Sequence, residues 1–128
     1  SVLYGLQATP FALAQAIASN SKPILLIEDI CERHYHIDRM IRNLRMSGVL
    51  AQISGLIVGQ FTDCDNDPSM PSTIEQTIYE AVADYNYPVC FQAPFGHLDG
   101  NLPIWLHTPI QMSISDSEVT LHMPSPLS

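Results

Sequence analysis

The chain has 128 residues, 46% of them hydrophobic and 14% charged, the make-up of one globular domain with a sizeable core. Five basic residues face thirteen acidic ones for a formal charge of -8, which repels phosphate backbones and argues against a nucleic-acid partner. No apolar run nears the roughly 18 residues of a membrane span, and ten prolines and six glycines without a repeat exclude collagen-like or low-complexity character.

The beginning of the chain carries no basic segment followed by an apolar one, so no secretory signal is expected. Ser1 follows no methionine, and Val2, Leu3, Tyr4, Gly5 and Leu6 read as the middle of an apolar turn. Either an initiator methionine has been removed or the chain is cut from a longer protein. Residues 11–18 favour helix, and Ser19, Asn20 and Ser21 break it. Residues 23–27 then form a fully buried strand that stops at Glu28 and Asp29, followed by a polar loop from Cys31 to His36. From Ile37 the period changes. Ile37, Met40, Ile41 and Leu44 share one helical face, and Gly48 stands where a C-cap glycine belongs.

Residues 55–61 read as a second buried strand, with Gly59 marking a close backbone approach. A polar loop follows to residue 71. Ser72 and Glu75 have capping-box spacing, and Ile74, Ile78, Val82 and Tyr85 continue one helical face. Residues 88–93 give a third strand, and residues 94–101 form a loop dense in turn formers. Residues 104–107, 110–115 and 119–122 read as short strands, the last two joined through Asp116 and Ser117. The expected architecture is a single α/β domain over residues 1–128: a small mixed sheet, two or three helices and a β-rich C-terminal part, with three helical crossovers.

Two positions stand out chemically. Glu28 and Asp29 lie at the carboxyl end of an apolar strand, where α/β folds place their sites, and His97 sits in a glycine-containing loop after another strand. A carboxylate that fixes an imidazole tautomer makes that imidazole a general base. A nucleophile is missing: no Gly-x-Ser-x-Gly elbow occurs, and nothing visibly activates Cys31 or Cys64. The three cysteines lack paired spacing, which argues against a disulfide framework and fits a reducing compartment. Cys31, His34 and His36 match no strong zinc spacing, so no metal is expected. Asp63, Asp65 and Asp67 lack the glycine and closing glutamate of a calcium loop, since Pro68 and Ile74 hold those places. Arg39, Arg42 and Arg45 read as the wet face of their helix.

Three stretches carry a resemblance. They are Ile24, Leu25, Leu26, Ile27, Glu28, Asp29, Ile30, Cys31 and Glu32 with Tyr35, His36, Ile37, Asp38, Arg39 and Met40; then Gly55, Leu56, Ile57, Val58, Gly59, Gln60, Phe61 and Thr62; and Pro94, Phe95, Gly96 and His97 with Asn101. In this order the chain resembles the C-terminal domain of the LD-carboxypeptidase family of serine peptidases. The resemblance implies a metal-independent Ser-Glu-His triad without a cofactor, with Glu28 as its glutamate and His97 as its histidine. It further implies that an N-terminal domain, absent from these 128 residues, bears the nucleophilic serine. The implied reaction is removal of terminal D-alanine from murein tetrapeptides during cytoplasmic peptidoglycan recycling. Microcin-immunity peptidases share the triad and are the alternative, and a binding module without catalysis is a second one.

Cys31 stands where the family commonly has glycine, His36 where it commonly has arginine, and the residues from Trp105 onward depart from the pattern. Three expectations follow. The chain alone is inactive as a peptidase. Val2, Leu3, Leu6 and Phe11 form an apolar face for the missing domain and promote self-association, homodimers included. Glu28 and His97 meet at hydrogen-bond distance.

Overall fold

The computed structural model describes residues 1–17 and 21–124, so the expected helix break at Ser19 and Asn20 lies outside the described residues. Two short helices, α1 (Val2–Leu6) and α2 (Leu13–Ala16), precede strand β1 (Ile24–Ile30). Helices α3 (His34–Met46) and α4 (Val49–Gln52) lead to β2 (Gly55–Thr62), and α5 (Ile74–Glu80) leads to the short β3 (Val89–Cys90). A hairpin of β4 (Gln111–Ile114) and β5 (Val119–His122) follows. The first three strands form a parallel sheet in the order β1-β2-β3, and the hairpin is a separate antiparallel pair. This is the expected mixed α/β architecture, with two helical crossovers rather than three.

The parallel sheet is built around β2. Its first five residues are all buried, because a central parallel strand is covered on both faces. Leu56 and Val58 pack with Ile27, the apolar stripe of α3 (Ile37, Ile41, Leu44) and Ile74 and Ile78 of α5. Ile57, which points the other way, packs with Cys90, Ala93 and Phe95, against Ile24, Leu26, Met112 and Leu121. The period of two that sends alternate side chains to opposite faces therefore builds two cores from one strand.

Local chemistry sets the helix ends. In α3, His34, Ile37, Ile41 and Leu44 are buried on one face, and Gly48, with φ +80°, turns the chain where side chains are disfavoured. The helix starts three residues before Ile37, so part of the expected polar loop is its first turn. The capping box of α5 is shifted by one residue from the expected one. Thr73 accepts from the Gln76 N–H at 3.2 Å, and Gln76 Oε1 accepts from the Thr73 N–H at 2.8 Å. Gln76 can occupy that third position as well as glutamate. The helix then ends at Glu80, short of the expected Tyr85.

Residues 104–107 are not a strand. The backbone there turns, with His107 at φ +55° and Trp105 and Leu106 exposed. Arg45 departs from a purely wet role: its guanidinium donates to both carboxylate oxygens of Asp84 at 2.7 Å and to the Ala81 carbonyl at 2.6 Å. That fork ties the end of α3 to the turn after α5 and holds the Asp84 carboxyl below the ordinary carboxylate range. Of the expected apolar face, Val2 and Phe11 are 77% and 75% exposed, while Leu3 and Leu6 are half-buried.

Candidate active site

Glu28 and Asp29 belong to β1, which runs to Ile30 instead of stopping before them. The alternation that buries Ile27 among the helices sends Glu28 to the same side as Leu26 and turns Asp29 back toward the helices. Asp29 is buried and accepts from the Ser1 amine and from the Ile30 N–H.

The register of β1 against β2 changes beside Glu28. Ile27 pairs with Val58, yet Asp29 pairs with Phe61, so β2 carries one extra residue in the stretch of Gly59 and Gln60. Such a bulge bends a strand and re-aims its side chains. The chain that brings in His97 runs along the other edge of this bulge. Ala93 donates to the Val58 carbonyl at 3.0 Å, and Gln60 donates to the Phe95 carbonyl at 3.0 Å. Gly59 permits that approach: a Cβ there would lie 2.6 Å from the Phe95 carbonyl oxygen. The expected close backbone approach at Gly59 is thus observed.

Gly96 is needed for a related reason. Its φ is +120°, and a Cβ on it would stand 3.2 Å from Glu28 Oε2 and 3.3 Å from the Gln60 carbonyl oxygen. With that side chain absent, the loop folds over Glu28, and His97 Nδ1 lies 2.8 Å from Glu28 Oε2. The expected meeting of the two side chains, 69 residues apart in sequence, is present in the geometry. Asn101 Oδ1 accepts from the Gly96 N–H at 3.1 Å, and Thr62 Oγ1 donates to the His97 carbonyl at 2.6 Å. Asn101 and Thr62 lie in the resembling stretches, yet the sequence alone assigns them no role. Their signal was a hydroxyl and an amide at a strand end and in a loop, which are common in turns everywhere.

Among the described residues, Nε2 of His97 makes no hydrogen bond, and half of the side chain is exposed. The pair opens on a cleft of about 370 Å³ at the end of β1, lined by Tyr4, Ile27, Asp29, Met40 and Phe61 as well as Glu28 and His97. An imidazole held through Nδ1 by a carboxylate, with Nε2 facing solvent, can take a proton from a hydroxyl and return it to a leaving amine. It cannot perform acyl transfer without a nucleophile.

The other polar candidates go to separate partners. His34 is buried, accepts from the Asp67 N–H through Nδ1 at 3.2 Å and so offers its Nε2 proton to Thr77 Oγ1 at 3.0 Å. His36 Nδ1 lies 2.9 Å from Glu32 Oε2. Cys31 is exposed, and the Cys64 sulfur accepts from the Glu32 N–H at 3.3 Å. Burial pushes the Cys64 and Cys90 thiols up, which lowers their thiolate fraction. Asp67 closes its own turn, accepting from the Ser69 N–H and hydroxyl at 2.8 and 2.7 Å.

Comparison with known proteins gives the family and the fold. The family model for the LD-carboxypeptidase C-terminal domain matches residues 1–112. A candidate carboxypeptidase of Synechocystis sp. is 41% identical over 75 residues, which cover 58% of this chain and 25% of that protein. A Bacillus subtilis protein assigned as a murein peptide carboxypeptidase is 25% identical over 124 residues, covering 94% of this chain and 37% of that one. The crystal structure of a muramoyltetrapeptide carboxypeptidase from Oxalobacter formigenes has the same fold, with a TM-score of 0.73 at 22% identity over 88% of this chain and 42% of that one. The microcin C7 self immunity protein is more distant, with a TM-score of 0.50 at 20% identity over 57% of this chain and 22% of that one. The chain thus spans between 25% and 37% of these two curated relatives.

Proposed function

The chain belongs to the LD-carboxypeptidase family, of which it carries the C-terminal domain, and we propose that it supplies Glu28 and His97 to a Ser-Glu-His triad. The observation that carries this is the 2.8 Å contact between His97 Nδ1 and Glu28 Oε2 at the edge of a cleft that both residues line. In this reading the serine comes from an N-terminal domain outside these 128 residues. His97 Nε2 takes the proton of the serine hydroxyl as the oxygen attacks the carbonyl before a terminal D-alanine. It then protonates the departing amine, and water, deprotonated by the same nitrogen, releases the acyl group. Glu28 keeps Nδ1 protonated and offsets the positive charge that forms on the ring.

The substrate proposed is a murein tetrapeptide, in cytoplasmic recycling of peptidoglycan. The B. subtilis relative and the O. formigenes structure support it through what they are named for. A peptidyl nucleotide is the second substrate to try, because the microcin C7 self immunity protein shares the fold. The exposed Val2 and Phe11 support an apolar face that meets the N-terminal domain, and in its absence a second copy of the chain.

The test uses the full-length protein and a murein tetrapeptide. Glu28→Gln and His97→Ala should each lower the rate of D-alanine release by about 10³-fold or more while leaving the fold intact. Near-normal release by His97→Ala overturns the assignment. The 128-residue chain alone should release no D-alanine and take up no serine-directed phosphonate.

A further inference from the structure

Outside the pair itself, Thr62 bonds both segments that bear it, and it bonds His97 directly. The Thr62 carbonyl accepts from the Cys31 N–H at 2.9 Å, three residues beyond Glu28, and its hydroxyl donates to the His97 carbonyl at 2.6 Å. We infer that Thr62 is a positioning residue, which holds the Glu28 strand and the His97 loop in the one relation that lets their side chains meet. The inference rests on the triad reading above and deepens it.

The argument is geometric. The loop after Phe95 leaves the sheet, so no ladder fixes its backbone. Within the loop, Leu98 donates to the Gly96 carbonyl, Leu102 to the Pro94 carbonyl and Gly96 to Asn101, and β2 holds it through Gln60 to the Phe95 carbonyl and Thr62 to His97. Among the described residues, only the last reaches the backbone of His97 itself, and it fixes the peptide plane on which the imidazole pivots. A ring that is half exposed gains little orientation from packing, so that plane and the Glu28 contact define its position. The bulge makes the arrangement possible. If the same residues ran as an even ladder with no bulge, Phe61 instead of Thr62 would stand opposite Ile30, and the hydroxyl would point to the other side of the sheet.

The experiment compares Thr62→Val and Thr62→Ser in the full-length protein with murein tetrapeptide as substrate. Valine keeps the branched shape and strand preference and deletes the hydroxyl. Thr62→Val should lower kcat about tenfold, leave KM within about twofold and move the acidic limb of the pH profile, with its thermal midpoint little changed. Thr62→Ser should restore most of the rate. Wild-type kcat and pH profile in Thr62→Val overturn the inference, and so does a Thr62→Ser variant as slow as Thr62→Val, since the methyl rather than the hydroxyl would then matter. His97→Ala is measured alongside. If it keeps its activity the triad reading itself fails, whereas its inactivation beside an unaffected Thr62→Val removes only the role of Thr62.

Discussion

The strands β2 and β5 have similar β-forming residues and very different surroundings. In β2, Gly55, Leu56, Ile57, Val58 and Gly59 are all buried between two strands and two apolar clusters. In the hairpin, Met112 and Leu121 turn inward while most of the remaining positions are exposed. Strand preference is thus not what separates the two regions; the number of covered faces is. The site hangs on the region covered twice. Glu28 lies next to β2 in the sheet, and the His97 loop is bonded to the other edge of β2. The family model also ends at residue 112, two residues into β4.

That contrast can be broken most directly by truncating one side chain in each region. Ile57→Ala should cost about 4 kcal/mol in urea unfolding, because Ile57 is 0% exposed and the site has no room to collapse. Leu121→Ala, on the half-open hairpin, should cost about 1 kcal/mol. Equal losses would mean that the hairpin is as much a part of the core as the sheet. A second measurement sharpens the role of close approach. Gly59→Ala should destabilise by about 3 kcal/mol and loosen the His97 loop, since the new methyl would meet the Phe95 carbonyl and ring. An unfolding midpoint near wild type would show that the loop gives way easily.

The smallest effect is on pH dependence. Tyr87 is half-buried beside the main core and donates to the Leu50 carbonyl at 3.0 Å, and desolvation pushes its phenol up to about 12. The ordinary value is near 10. A raised folded value means that the stabilisation is complete below about pH 10 and is lost as pH rises toward 12. Tyr87→Phe should cost about 1 kcal/mol at pH 7 through the lost hydrogen bond. Its deficit should shrink between pH 10 and 12. Ultraviolet titration of tyrosinate would reveal the missing late ioniser, and a deficit unchanged to pH 12 would contradict the assignment.

Much of the parallel layer was legible because its strands are unbroken apolar runs and its helices keep a period of 3.6. Glu28 and His97 were legible for a related reason: each follows such a run, where polar residues are conspicuous. What stayed hidden depends on contacts between segments. The bulge near Gly59 leaves no mark in composition, so the roles of Thr62 and Asn101 could not be read. The strand expected at residues 104–107 failed because apolar content without a partner strand does not make a ladder. Arg45 looked like a solvated charge, and its fork to Asp84 joins residues 39 apart. At position 31 φ is +56°, a conformation glycine adopts without strain, so the fold accounts for the glycine that the resemblance implies there and gives no reason for the cysteine.

The extra residue in β2 has one more consequence, for how this region can change over time. Past Glu28 the two strands walk out of step by one residue, and everything downstream on β2 keeps its orientation only because of that offset. Replacing Gln60 changes one side chain, whereas deleting it leaves Phe61 and Thr62 opposite Asp29 and Ile30 but removes the bend beside Glu28 and the N–H that holds the Phe95 carbonyl. Length is therefore guarded here alongside the glycine at position 59: a one-residue deletion reaches the backbone that carries the site, where a replacement of Gln60 changes a side chain alone.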